Sequence, residues 1–162
     1  MREIENIFHQ WDEYNCFGCA PHNPAGLHLK FFFDEENKEI VIYFDRDDPF
    51  NGFPGILHGG IQATLMDEIG FWIIYDQYKK FGLTVNLRVD YLKALTVPRK
   101  VEVRGRISRF DGKTADVETR IADEEGVVYA KGKLTFFLAT RELWKKLTGK
   151  EEMPEFLTRF LK

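Results

Sequence analysis

The chain has 162 residues, of which 44% are hydrophobic and 30% charged, the proportions of one ordinary globular domain large enough to bury a real core. Its formal net charge of −3 gives no basic footprint, which disfavours general nucleic-acid binding. No apolar run reaches the roughly 20 residues of a membrane span, and MREIENIFHQ lacks the apolar core of a signal peptide, so a cytoplasmic protein without a membrane partner is expected.

Residues 3–13 have helical spacing at Ile4, Ile7, Phe8 and Trp11, which predicts a short N-terminal helix. NCFGCAPHNPAG is a loop punctuated by Gly18, Pro21, Pro24 and Gly26. LHLKFFF and EIVIYF read as strands around the acidic turn DEENK, and a Gly/Pro loop, DDPFNGFPGILHGG, leads to one long helix from about Ile61 to Lys80. The period then changes from helical to two. TVNLRVDYL, VEVRGRI, TADVETRIA and VVYAKGKLTFFLA alternate apolar with polar residues, with turns at Asp111-Gly112 and Glu125-Gly126. Such strands form an antiparallel meander with one solvated face. Residues 141–160 read as a C-terminal helical tail.

No repeat, low-complexity tract or linker divides the chain, so a single domain spans 1–162. A helix this apolar all round must be covered on most sides. The economical architecture is α+β, a curved antiparallel sheet wrapped around the helix.

Chemistry concentrates in GILHGGIQATLMDEIGFW, residues 55–72. Asp67 and Glu68 sit among Ala63, Leu65, Met66, Ile69, Phe71 and Trp72, and buried carboxylates are costly unless paired, hydrogen-bonded or used. Neither has a cationic neighbour three or four residues away on the helix. Being adjacent, they point about 100° apart, so at most one is the working group. Gly70 favours Asp67: a mid-helix glycine costs about 1 kcal/mol relative to alanine, and suits a site where a backbone or ligand comes close on Asp67's side. At the helix mouth, His58 precedes Gly59 and Gly60. The first amides of a helix lack intrahelical partners and carry the positive dipole end, so the amide of Gly59 or Gly60 can polarise a substrate carbonyl as an oxyanion hole. Gly60 and Asp67 are seven residues apart, roughly 10 Å along a helix. If both act on one carbonyl they come from different subunits, so a working site requires a dimer.

GFPGILHGGIQATLMDE followed by LTVNLRVDYLKAL resembles the hotdog-fold acyl-CoA thioesterases of the PaaI-like branch, and NCFGC…NPAGLHLKF resembles the N-terminal signature often seen there. The resemblance covers about residues 15–138, leaving the terminal helices (3–13 and 141–160) outside the core. It implies a six-stranded sheet around a central helix, a homodimer or homotetramer, acyl-CoA sites at the subunit interface, and no cofactor beyond the coenzyme A of the substrate. It implies that Gly59 donates its amide to the thioester carbonyl while His58 shapes that loop. Asp67 becomes the base or nucleophile, and Thr84 helps hold the water or carboxylate. Asn51 matches a Gln or Asn of relatives before HGG. Lys93 matches a basic position that can meet the nucleotide phosphates, and reads equally as a solvated strand-end lysine. Thioester hydrolysis needs a polarised carbonyl and either a base with water or a carboxylate nucleophile, and no metal.

Cys16-x-x-Cys19 with His22 and His28 offers zinc-ligand types, but the histidines follow sooner than in ordinary fingers. No βαβ pattern surrounds the pair as in redox motifs. The expectation is no metal, with both cysteines reduced and packing beside the acyl pocket. A hotdog protein that binds acyl-CoA or another apolar ligand without cleaving it is the competing class. Dehydratase relatives place a catalytic histidine on or near the helix, so HGG with a downstream aspartate favours a hydrolase, and Asp67 favours hydrolysis over mere binding.

Overall fold

A computed structural model describes residues 1–45, 50–150 and 154–158. Its centre is helix α1 (Gly59–Tyr78), whose Leu65, Met66, Ile69, Trp72, Ile73 and Ile74 are fully buried. Burying a side chain of this size stabilises the fold by about 1.5–3 kcal/mol. The strands β1 (Arg2–Ile4), β2 (Phe31–Asp34), β3 (Glu39–Phe44), β4 (Gly82–Tyr91), β5 (Val101–Phe110), β6 (Thr114–Asp123) and β7 (Val128–Leu138) form one antiparallel sheet in the order β1-β2-β3-β5-β6-β7-β4. The period-two pattern explains its inner face: β6 turns Ala115, Val117, Thr119, Ile121 and Asp123 inward and the residues between them outward. At the β5–β6 turn the Asp111 carboxylate accepts from the amides of Lys113 (2.9 Å) and Thr114 (2.7 Å), and Gly112 takes φ 85°.

The architecture is the expected α+β wrap, with three departures from the sequence reading. The N-terminal helix over 3–13 does not form. Ile4 instead pairs with Phe31 as β1 joins the β2 edge, giving seven strands rather than six among the described residues. Only a 3-10 turn, Ile7–Gln10, follows. Asn6 enforces the change: its side chain accepts from the Phe8 amide (3.1 Å) and donates to the Cys19 carbonyl (2.8 Å). Phe8 is thereby buried among the rings of Phe71, Trp72, Tyr75 and Phe81.

The four later strands are not a simple meander. β5, β6 and β7 are, but β4 pairs with β7 at the far edge of the sheet, away from β5. Almost every residue of β4 is exposed, including Val85 at 62%.

The C-terminal tail is two helices, α2 (Arg141–Thr148) and α3 (Glu155–Thr158). Thr140 caps α2, accepting from the Leu143 amide (3.2 Å), and Gly149 ends it at φ 68°. Of the expected tail, 151–153 and 159–160 lie outside the described residues, as do 46–49 of the loop before α1.

Candidate active site

The helix mouth is built by a histidine cap. His58 is the N-cap of α1, and its Nδ1 accepts from the Gly60 amide at 2.8 Å. An accepting Nδ1 puts the ring proton of the neutral imidazole on Nε2. The Gly60 amide is therefore spent inside the protein, which leaves Gly59 as the donor of the glycine pair. The Gly59 carbonyl accepts from the Tyr91 hydroxyl at 2.7 Å, tying the mouth to the end of β4. The preceding loop doubles back on the same place: the His58 amide donates to the Phe50 carbonyl (2.9 Å) and Asn51 bridges Leu57. Asn51 thus stands beside the mouth.

Asp67 lies two turns further along α1, half-buried, and Thr84 Oγ1 of β4 donates to its Oδ1 at 2.6 Å. Burial raises the Asp67 pKa above the ordinary carboxylate value, and the Thr84 bond opposes that rise. Gly70 has a different reason from the expected one. A Cβ there would collide with the Phe136 ring of β7, so the close approach comes from the core rather than from a ligand or backbone.

Glu68 diverges to a separate cluster. Its Oε1 and Cys16 Sγ are hydrogen-bonded at 3.3 Å, Cys16 and Cys19 Sγ lie 3.1 Å apart, and Tyr14 Oη is 2.8 Å from Cys19 Sγ. Gly18 makes this possible, because a Cβ there would occupy the space of the Glu68 carboxyl. Burial pushes the Glu68 pKa up to about 8. The Cys19 thiol holds Cys16 down to about 5, and Cys19 itself is raised.

The ligand atoms of Cys16, Cys19 and Glu68 all lie within 4.8 Å of one another, so this trio could hold a soft cation. Neither His22 nor His28 belongs to it. The two sulfurs are closer than the roughly 3.8 Å that two thiolates at 2.3 Å from a tetrahedral zinc would keep.

Asp67, Glu68, Thr84 and both cysteines line one cavity of about 360 Å³, whose remaining wall is largely aromatic and aliphatic. Lys93 is not among its lining residues. It stands two residues beyond Tyr91, exposed, with its amide bonded to the Tyr129 carbonyl (3.1 Å). Sequence reasoning missed Tyr91, Tyr14 and the wall residues Phe8, Trp144 and Leu157. Only Tyr91 had a local signal, as the last alternating residue of its strand.

The thioesterase superfamily model matches residues 54–130. The chain is 27% identical over 96 residues to acyl-coenzyme A thioesterase THEM4 of Rattus norvegicus, a match covering 59% of this chain and 41% of that protein. The chain therefore spans less than half of that relative. Protein RHA08564 of the thioesterase superfamily superposes with a TM-score of 0.68 at 20% identity, covering 76% of this chain and 60% of that one. A hypothetical thioesterase of Streptococcus pneumoniae TIGR4, solved with coenzyme A, superposes at 0.59 with 23% identity, covering 62% of this chain and 80% of that one. That protein has also been solved with one aspartate, and with one threonine, changed to alanine. The sheet wrapped around α1 is the hotdog fold of these structures, and residues 54–130 of the chain match the thioesterase superfamily.

Proposed function

We propose that the protein hydrolyses an acyl-CoA thioester to the free acid and coenzyme A, as a PaaI-like thioesterase acting without metal or cofactor. The observation that carries this is Asp67: a half-buried carboxylate held by Thr84 on the wall of an apolar cavity. Raising its pKa makes it a stronger base than an ordinary aspartate.

The acyl group occupies the cavity with its carbonyl at the Asp67 end. Asp67 either removes a proton from the water that attacks that carbonyl or attacks it directly, forming an anhydride that water then opens. In both routes the C–S bond breaks and coenzyme A leaves as the thiolate. Gly59 of the partner subunit supplies the oxyanion amide, because the Gly59 on the same helix is eight residues from Asp67, or about 12 Å. Two copies joined along their β4 edges bring the two α1 helices antiparallel and make two such sites. The exposed apolar residues of β4 support that assembly, since an open apolar edge invites strand pairing. Lys93 reaches towards the nucleotide phosphates from the end of β4. A cytoplasmic location, where acyl-CoA and reduced thiols coexist, suits this reading.

An acyl-CoA panel followed by thiol release tests it. Saturable turnover that disappears in Asp67→Asn is expected. Tight acyl-CoA binding with no thiol release from any substrate would instead establish a non-hydrolytic binding protein.

A further inference from the structure

The cavity beside Asp67 is closed by parts of the chain outside the family match, residues 54–130. Asp67, Glu68 and Phe71 of α1 and Thr84 of β4 form one side. The other side comes from the termini: Phe8 and Trp11 from the N-terminal turn, Trp144 and Leu147 of α2, and Leu157 of α3. Leu157 is 1% exposed and anchors the C-terminal side in the core. Trp144 leans on Trp11, with ring centroids 5.8 Å apart. Helix α2 is otherwise lightly seated, with no fully buried residue. It lies across the cavity as a wall rather than within the core.

At about 360 Å³ the cavity is near the small end of ligand pockets, so the side chains of its terminal side are what a long acyl chain meets. The polar groups of the lining gather at the Asp67–Glu68 end with Thr84, Tyr14 and the two cysteines, while the terminal side is aromatic and aliphatic. An apolar acyl chain fits that terminal side.

We propose that the terminal segments set acyl-chain selectivity. Trp144, resting on Trp11, bounds the terminal side of the cavity, so that decanoyl-CoA is preferred over hexadecanoyl-CoA. The inference rests on the hydrolase reading for its substrate. Its structural content is the position of the wall.

The test measures kcat/KM for octanoyl-, decanoyl-, dodecanoyl- and hexadecanoyl-CoA in the full-length protein and in two opposed variants. Trp144→Ala opens the wall and should raise the ratio of hexadecanoyl- to decanoyl-CoA turnover at least tenfold. Leu147→Trp, at a position 61% exposed, narrows the cavity without disturbing the core and should move the optimum to octanoyl-CoA or shorter. A merely structural role would lower all four substrates together and leave the ratios alone. Unmoved ratios in both variants overturn the proposal while leaving the hydrolase reading intact. If no thioester is cleaved by any form, titration of decanoyl- and hexadecanoyl-CoA by binding decides. The proposal stands if the wild type prefers decanoyl-CoA and Trp144→Ala removes that preference, and it falls if both bind alike. Should Trp144→Ala fail to fold, Leu147→Trp alone decides on the same criterion.

Discussion

Thr84 Oγ1 and Asp67 Oδ1 meet at 2.6 Å although 17 residues separate them. The contact exists because α1 turns directly into β4, which runs back along the helix. Thr84 therefore both positions the carboxylate and tunes its basicity.

Removing the basicity of Asp67 while keeping its shape should be the most damaging change at the site. In Asp67→Asn turnover is expected to fall by the roughly 10²–10⁴-fold that general-base catalysis contributes. Thr84→Ala should cost less, because the base survives. It should also move the acid limb of the kcat/KM profile to higher pH, since the Thr84 bond is what opposes the burial-driven rise in the Asp67 pKa. Glu68→Gln should leave that limb in place. An equal loss from Asp67→Asn and Glu68→Gln would point to a structural effect on α1 instead.

What the sequence disclosed, and what it hid, divides by the range of the interaction. EIVIYF coincides with β3, because a strand buried on both faces is a continuous apolar run. Helix α1 starts two residues earlier than its apolar pattern, since His58 rather than a Ser, Thr or Asp supplies the cap. It ends at Lys79, which takes a left-handed φ of 52°. Asp67 was legible from the company it keeps and Thr84 only through the family resemblance. The N-terminal segment was misread because Ile4 and Phe8 serve a strand and a 3-10 turn with the same spacing that a helix would use. The place of β4 beyond β7 is a long-range pairing with no local mark. Neither is there one for the Cys16–Glu68 contact, which joins residues 52 apart through the space left by Gly18.

The cap at the helix mouth is open to a direct test. His58→Ala removes the acceptor of the Gly60 amide and should destabilise the protein by about 1 kcal/mol, the usual value of a lost N-cap. His58→Asn and His58→Asp restore a capping oxygen and should recover most of that stability in denaturant unfolding. If the mouth geometry also orients the Gly59 amide, turnover should recover in the same order. A His58→Ala protein as stable as the wild type would mean that water caps the helix equally well.

Glu68 predicts a pH dependence of stability. Its pKa is about 8 in the folded protein against an ordinary 4.5. Between those values Glu68 itself is protonated in the folded state and ionised in the unfolded one, a contribution to unfolding free energy that falls as pH rises. The lowered Cys16 thiol opposes it in the wild type, so the comparison with Glu68→Gln is what isolates the Glu68 part. The stabilisation from holding the proton is complete below about pH 4.5 and is lost as pH passes through about 8. Glu68→Gln keeps the neutral shape at every pH. The variant should match the wild type near pH 5 and become more stable than it near pH 9, with a gap of a few kcal/mol at most. Parallel curves for the two proteins over that range would show that Glu68 is ionised in the fold.

The strand edge carries the assembly prediction. Leu83, Val85 and Leu87 of β4 are exposed, Val85 by 62%, and among the described residues no strand pairs on the outer side of β4. A solvated edge strand ordinarily carries charges that deter pairing, yet the apolar residues here leave it suited to a second β4. Val85→Lys places a charge on that edge without touching Asp67, Thr84 or the core. In a two-fold dimer the substituted position lies near its own mate, and like charges facing each other oppose pairing. Sedimentation should find the wild type as a dimer or larger and Val85→Lys shifted towards monomer. Turnover should fall at least tenfold at concentrations where the monomer dominates and recover as the protein is concentrated. Circular dichroism should stay unchanged, because β4 remains paired with β7. The Gly59–Asp67 separation makes the activity half of this test decisive: a monomer that turns over substrate at the full rate would place both groups of one working site in a single chain, and the two-subunit site would be wrong.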